Sequence, residues 1–235
     1  MYKSSQNSEV TTKKSEAAPK IRSKGEETRE RIFQLALEYF NRNGIEYVGI
    51  RELARELGLS PGNVSYYFPS KDDLVIEITK RLSEANTQLF QEIESDLTLT
   101  SFIELFNRAS HNHYSYRCIF TSFVHIMKHY PAIGNGYLEI QRVRRATLAK
   151  DLQALSKFGY LRKDLSKTEI NHLVLMISHL ARFWVQEAEV LLAAQPIERS
   201  IGHYTGLIAG TLHPYATAKG RQQLEPFMAA VITKL

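Results

Sequence analysis

Residues 51–74 read RELARELGLSPGNVSYYFPSKDDL, and this stretch decides the fold. From Ile50 to Leu57 apolar residues recur at helical spacing, and Gly58 can adopt the left-handed conformation that ends a helix. Ser60 then offers a hydroxyl cap, and Pro61 suits the first position of the next helix because it has no N–H to leave unpaired. The stretch therefore predicts a helix-turn-helix, the arrangement that lets a short helix enter the major groove of DNA.

The flanking sequence is also helical. A helix is predicted over residues 28–43, where Gly44 stops it, and its apolar residues share one face: Ile32, Phe33, Ala36, Leu37 and Phe40. Ser70 followed by Asp72 and Asp73 predicts the start of a long fourth helix reaching Glu94, with two carboxylates at its positive end.

Beyond residue 95 the pattern stays helical and strand patterns are absent. Ser166 and Glu169 form a predicted capping box at the start of one long helix. We predict helices at about 100–114, 116–130, 133–158, 167–195, 197–213 and 218–234. The fold class is therefore all-α, with an N-terminal three-helix headpiece joined by a long helix to a C-terminal helical domain.

The net charge of +5 is concentrated at the N-terminus. Residues 1–24 carry six basic and two acidic side chains, a net charge of +4, so only +1 remains for the other 211 residues. Their Ser, Thr, Lys and Ala content without apolar periodicity predicts a disordered arm. Contact with DNA phosphates and the absence of any role are both open interpretations of this arm.

Several features predict a cytoplasmic protein. Cys118 is the single cysteine and cannot form an intramolecular disulfide, and the N-terminus lacks the apolar core of a signal peptide. The most apolar stretch, residues 173–185, contains a histidine and an arginine and is too short to cross a bilayer. We therefore expect no membrane association.

Residues 26–75 closely resemble the tetracycline-repressor-like (TetR) family. The resemblance rests on the first helix from Thr28 to Gly44, the short second helix, the recognition helix, the aromatic pair and the Phe-x-Ser-Lys sequence at 68–71. It implies three regions: an arm over 1–24, a helix-turn-helix DNA-binding domain over 25–71, and an effector-binding and dimerisation domain over 72–235. It also implies a homodimer on double-stranded operator DNA, and no enzyme activity.

The resemblance implies which residues contact DNA. Asn63 can pair with an adenine edge, Gly62 permits close backbone approach, and Lys71 matches the family's phosphate-binding lysine. The tyrosine pair would contact the sugar-phosphate backbone, although Tyr67, like Phe68, also fits the core beneath the helix. The predicted DNA-binding set is Gly49, Ser60, Pro61, Gly62, Asn63, Ser65, Tyr66, Tyr67 and Lys71.

The sequence departs from the family before the second helix. A Ser or Thr that usually touches a phosphate is replaced by Val48 and Gly49, so we expect that hydroxyl contact to be lost. Residues 25–71 also carry six basic and seven acidic side chains, a net charge of −1. Affinity must then come from a few placed cations, helix N-termini and dimerisation, with the arm as a supplement.

The C-terminal half is rich in aromatic and soft side chains, which suit the wall of a small-molecule site. The resemblance implies an effector pocket there, and ordinary core packing is the alternative for individual residues. The predicted ligand-binding set is Tyr114, Phe120, Phe123, Met127, His179, Phe183 and Trp184. The resemblance further implies dimerisation through 167–195 and 197–213, where Gly202, Gly206 and Gly210 allow close helix approach.

Other chemistries find little support. His125 and His129 have metal-compatible i, i+4 spacing but no evident third ligand, and Cys118 has no base partner. We therefore predict no catalytic site, no metal and no cofactor. Two functions remain: a repressor released by an unidentified small-molecule effector, and a DNA-binding protein of the same fold that acts through protein partners.

Overall fold

The computed structural model describes residues 23–91 and 97–233. Most of the predicted arm therefore lies outside the described residues. Three helices form the headpiece: α1 (Lys24–Asn43), α2 (Ile50–Glu56) and α3 (Pro61–Tyr67). α1 begins four residues earlier than the apolar pattern indicates, because Ser23 and Glu26 cap its N-terminus reciprocally at 3.2 and 2.7 Å.

The headpiece has its own apolar core. The inward faces of α1, α2 and α3 meet there, and the core also takes in residues of the fourth helix and of two short helices far along the chain. Its fully buried members include Ile32, Phe33, Phe40, Ile45, Leu53, Val64, Phe68, Leu74 and Ile78. Phe68 is thus a core residue, as the sequence alternative proposed.

A long helix, α4 (Lys71–Gln91), leads out of the headpiece. Ser70 and Asp73 cap its start in the same reciprocal way as at α1, with distances of 2.9 and 3.2 Å. Arg81 fastens α4 to α1 through a 2.8 Å ion pair with Glu30, and its guanidinium lies 3.7 Å from the Phe33 ring centroid. α4 is therefore anchored to the headpiece over more than two turns.

The remaining helices form the C-terminal domain. They are α5 (Leu99–Ser115), α6 (Arg117–Thr121), α7 (Phe123–His129), α8 (Pro131–Lys157), α9 (Lys167–Leu191), α10 (Ile197–Leu212) and α11 (Ala218–Met228), with a 3-10 turn at His213–Tyr215. Among the described residues the only β contact is an isolated bridge between Leu161 and Ala216. The all-α prediction is confirmed. No helix in the described ranges is long and apolar enough to cross a membrane.

Two predicted helices differ from those observed. The helix predicted over 116–130 is two helices, because Ser122 at the break bonds outside the helix: it donates to Glu46 at 2.5 Å and accepts from the Ile45 N–H at 3.4 Å. The helix predicted to reach residue 234 ends at Met228. Beyond it the Ile232 N–H donates to the His203 Nδ1 at 2.9 Å, so this segment packs onto α10 instead of continuing α11.

The C-terminal domain has a second core. α5, α8, α9, α10 and α11 contribute to it, and its most buried residues include Leu99, Phe102, Ile103, Leu152, Leu155, Leu161, Leu173, Ile177, Ile208, Leu212 and Leu224.

The glycines of α10 serve contacts within the chain. A Cβ at Gly206 would lie 2.6 Å from the Phe227 carbonyl oxygen and 2.7 Å from the Val231 side chain, so this position is reserved for the crossing of α10 and α11. A Cβ at Gly210 would meet nothing within 4 Å. The expectation that these glycines allow close helix approach holds at Gly206, but the neighbouring helix there is α11 of the same chain.

Gly206→Ala should lower the free energy of unfolding by about 1–3 kcal/mol, because the added methyl group overlaps backbone that cannot move independently. Gly136→Ala is the matched control: Gly136 also lies in a helix, a Cβ there meets nothing within 4 Å, and helix propensity predicts a gain of about 0.5–1 kcal/mol. Urea unfolding at one protein concentration measures both. Equal effects of the two substitutions would contradict the close crossing of α10 and α11.

Candidate DNA-reading surface and ligand cavity

The N-terminus of α3 faces solvent with its first residues free to touch another molecule. The Ser60 hydroxyl accepts the Asn63 N–H at 3.2 Å, which caps the helix, while Val64 one position later is buried in the headpiece core. This anchoring leaves four successive predicted contact residues exposed: Ser60, Pro61, Gly62 and Asn63. The N-terminus of α3 thus exposes the side-chain amide of Asn63 next to the backbone of Gly62, which has no side chain.

The tyrosine pair divides between solvent and core. Tyr66 is 80% exposed, whereas Tyr67 is half-buried and packs against the headpiece core. Their rings meet edge to face with centroids 5.0 Å apart, so the anchored ring of Tyr67 supports the exposed ring of Tyr66. Ser65 is also half-buried.

Gly49 and Lys71 begin the two neighbouring helices. The Gly49 N–H donates to the Glu52 carboxylate at 2.9 Å, so a carboxylate already satisfies the N-terminus of α2, the place where the family's hydroxyl would stand. Lys71 is the first residue of α4, three positions after the capped end of α3, and is partly exposed. All nine predicted DNA-binding residues therefore lie on α3 or at the N-termini of the helices beside it.

Two further cations of the headpiece were not singled out in the sequence. Arg51 and Arg55 of α2 are exposed and form no ion pair within the described ranges, whereas Arg29 and Arg42 pair with Glu77 and Glu38. The net charge counts all of these arginines equally. Their ion pairs in the structure show which of them are available to contact a phosphate.

A cavity of about 780 Å³ lies between α4, α5, α8 and the short helices α6 and α7, with α9 closing one side. Its size is within the range of about 300–1,000 Å³ for small-molecule sites. The wall is mostly apolar and includes Leu82, Phe90, Phe102, Leu105, Phe106, Ile119, Phe120, Phe123, Met127, Ile133, Ile140, Val143 and Leu148.

Three of the seven predicted ligand-binding residues line this cavity, namely Phe120, Phe123 and Met127. His179, Phe183 and Trp184 lie outside its lining because α9 turns Ser178, Ala181 and Arg182 toward it, and Tyr114 of α5 lies outside it as well. Trp184 is instead buried against Tyr204, with ring centroids 5.7 Å apart, and Tyr114 packs beside that cluster. His179 and Phe183 face outward, with Phe183 41% exposed.

The cavity also holds polar groups that the sequence analysis missed. His113 of α5 lies against Phe120 at 4.6 Å between ring centroids, and burial, aided by the positive charge of Arg144, lowers its pKa to about 3. Asn86 of α4 is buried and accepts from Asn112 at 3.2 Å. Such positions could be found only once α4, α5 and α6 are known to pack together, since each residue alone fits a solvated helix face.

The short helices α6 and α7 connect the cavity wall to the headpiece. The Asn41 side chain of α1 accepts from the Cys118 N–H at 2.9 Å and donates to the Ser115 carbonyl oxygen at 2.8 Å. At the other end, the Tyr130 hydroxyl donates to Asp72 at 3.0 Å, at the start of α4. Burial raises the pKa of the Cys118 thiol to about 12, so it is a core residue with little thiolate character.

The two histidines at metal-compatible spacing stack on each other. The rings of His125 and His129 lie 4.1 Å apart, and the described residues contain no group of three possible metal ligands.

Comparison with family models gives two matches that together cover most of the chain. The model described as "Bacterial regulatory proteins, tetR family" matches residues 32–78, and the model described as "Bacterial transcriptional repressor" matches residues 81–224.

The curated relatives match about a third of the chain. The HTH-type transcriptional regulator AcrR of Shigella flexneri is 35% identical over 69 residues, which are 29% of this chain and 32% of that protein. An HTH-type transcriptional regulator of Staphylococcus aureus is 29% identical over 76 residues, 32% of this chain and 41% of that protein. The chain thus matches well under half the length of these relatives.

Solved structures resemble the whole fold. A TetR-family regulator from Marinobacter aquaeolei has a TM-score of 0.78 at 19% identity, covering 87% of this chain and 99% of that chain. A putative transcriptional regulator from Saccharomonospora viridis, solved in complex with choline, has a TM-score of 0.61 at 21% identity and covers 82% and 99%. At these identities the likeness concerns the fold.

The buried His113 should make the protein sensitive to acid. The ring is neutral in the folded protein, whereas in the unfolded chain it takes up a proton near pH 6.5, so protons favour unfolding as the pH falls from 6.5 toward 3. In this window the neutral ring lowers the free energy of unfolding by up to about 1.4 kcal/mol per pH unit, and His113→Gln should remove this pH dependence. His111→Gln, exposed on the same helix, is the control, and urea unfolding at pH 4.5 and 7.5 gives the free energies. Identical acid sensitivity of all three proteins would contradict a buried neutral ring.

Proposed function

Because the chain belongs to the TetR family of bacterial transcriptional regulators, we propose that it is a homodimeric repressor that binds operator DNA through α3. A small molecule entering the cavity behind α4 releases it from that DNA. The members of this family are regulators and not enzymes, and we place the protein in the cytoplasm with the DNA that it binds.

The observation that carries the proposal is the double role of α4. One face of this helix contributes Leu74, Val75 and Ile78 to the headpiece core, and another lines the cavity with residues that include Thr79, Ser83 and Asn86. A molecule in the cavity therefore touches the same rigid element that sets the position of α3. Ligand and DNA can then prefer different positions of α4, which is the requirement for coupling between the two sites.

The exposed N-terminus of α3 supports DNA reading. An Asn side chain can contact an adenine edge bidentately in the major groove, and the glycine beside it leaves room for the base. Exposed Tyr66 and the partly exposed Lys71 are suited to phosphate contacts that fix the register, and Arg51 and Arg55 add two unpaired cations. These cations can bind phosphates by their position, although the net charge of the headpiece, which includes them, is −1.

The outer face of α9 supports dimerisation. Large apolar side chains recur along it at helical spacing and are between 41% and 78% exposed: Leu175, Met176, Phe183 and Val190. A row of this kind on a folded helix is typical of a subunit interface. α10 is mostly buried within its own chain, so we assign α9 the larger share of the interface, with Leu207 and Gly210 at its edge.

Selection from random DNA should yield an inverted repeat, since two symmetric headpieces double the surface that one short helix can bury. On that operator, Asn63→Ala should relax base preference at one position per half-site at a cost of about 1–3 kcal/mol. Lys71→Ala should weaken all sequences alike and reduce the salt slope by about one. Fluorescence anisotropy on operator and random duplexes measures both. Equal losses of affinity for the two variants on both duplexes would contradict the placement of Asn63 in the major groove.

A bulky side chain in the cavity should imitate a bound effector. Ser83→Trp places an indole between α4 and the opposite wall and should weaken operator binding about 10-fold, within the range of about 1–3 kcal/mol for coupled sites. Gln88→Trp is the control because Gln88 is exposed on the same helix and outside the cavity lining. If a folded Ser83→Trp dimer bound the operator with wild-type affinity, the cavity would not be coupled to DNA binding. That result would favour regulation through protein partners.

A further inference from the structure

The cavity wall contains an arginine without a counterion. Arg144 of α8 lines the cavity, and burial lowers the pKa of its guanidinium below the ordinary value. Its guanidinium carbon lies 5.6 Å from the centroid of the Phe90 ring. Within the described residues it forms no ion pair. A desolvated cation in this situation is costly unless something pairs with it.

A second arginine lies on the facing helix. Arg182 of α9 donates to the neutral Gln141 side chain at 3.0 Å, and its buried Nε has no hydrogen-bond partner within the described residues. Burial lowers the pKa of this guanidinium, and the positive charge of Arg145 lowers it further. The Tyr137 hydroxyl, also buried without a partner, adds another donor on α8, with its ring 5.5 Å from Arg182.

The carboxylates of the wall do not neutralise these cations. Glu139 pairs with Arg142 at 2.7 Å, and Glu84 pairs with Lys80 at 3.8 Å. Asp151 lies two helical turns along α8 from Arg144 and forms no ion pair with it, and burial raises the pKa of this carboxyl. Between α8 and α9 the cavity therefore offers two guanidinium groups that form no ion pair within the described residues, in a mostly apolar enclosure.

We infer that the cavity binds an amphipathic organic anion, whose acidic group pairs with Arg144 and Arg182 and whose apolar body lies against Phe90, Phe102 and Phe106. Guanidinium groups match carboxylate geometry with paired N–H donors, so such an anion would supply the missing partners. The inference rests on the proposed function only in taking this cavity as the effector site.

The same aromatic wall could attract a cationic ligand through ring faces. Two guanidinium groups at the cavity would oppose that ligand, because like charges in a poorly solvated space repel strongly. A neutral ligand of equal length would leave both arginines unpaired. The charge of the head group therefore separates the three ligand classes.

Three ten-carbon probes test the charge preference: decanoate, 1-decanol and decyltrimethylammonium, each below its micellar concentration. Isothermal titration calorimetry on the full-length dimer should show decanoate binding at least 10-fold more tightly than the other two. Failure of decanoate to bind, or tighter binding of either other probe, would overturn the inference.

Two cavity variants test the assigned residues. Arg144→Gln and Arg182→Gln should each weaken decanoate binding about 10- to 100-fold, as expected for the loss of a charge-assisted hydrogen bond, and leave 1-decanol binding unchanged. Lys150→Gln removes the same charge from the exposed side of α8 and should change neither. The melting temperature of ligand-free Arg144→Gln should be no lower than that of the wild type, because a partly buried cation without an ion pair is lost. Unchanged decanoate affinity in both folded variants would also overturn the inference.

Measuring operator release with the same three probes separates this inference from the proposed function. Decanoate binding that depends on Arg144 without releasing the operator would support the anion site and contradict the repressor mechanism. Release of the operator by decyltrimethylammonium alone would support the repressor mechanism and contradict the anion site.

Discussion

The arrangement depends on α4 being buried on two sides at once. Its N-terminal half completes the headpiece core, its C-terminal half lines the cavity, and the Arg81 ion pair with Glu30 holds it to α1 between them. A helix fixed at one end by a close-packed core cannot bend freely, so in the proposed mechanism a displacement at the cavity moves the headpiece as a body.

The short helices α6 and α7 make the link two-sided. They return to the headpiece from the C-terminal domain, and the Asn41 bridge and the Ser122–Glu46 bond connect them to α1 and to the turn before α2. The headpiece is therefore held by α4 on one flank and by α6–α7 on another, and both carry cavity-lining residues. A change in the cavity acts on two supports of the recognition helix.

The sequence predicted the headpiece well because its signals are local. Gly58 has the positive φ of 63° that its turn requires, and Ser60 caps α3 as the spacing indicated. The cavity was less predictable, because its lining depends on how α8 and α9 rotate against their neighbours. Trp184 and Arg182 are two positions apart on α9, and only packing decides that the arginine reaches the cavity while the indole is buried elsewhere. The break at Ser122 likewise depends on Glu46, which is distant in sequence.

Polar groups of the cavity wall also affect the stability of the ligand-free protein. Polar groups that find no partner cost free energy in the folded state, and here three of them, His113 Nδ1, the Tyr137 hydroxyl and the Arg182 Nε, lie in the wall of one cavity. Part of that cost therefore falls where α5, α8 and α9 surround the cavity. An occupant that satisfies these groups stabilises one position of the surrounding helices. Because α4 belongs to both the cavity and the headpiece, the proposed mechanism uses the free energy gained in the cavity to shift α3, and such a coupling obliges DNA to affect the occupant equally.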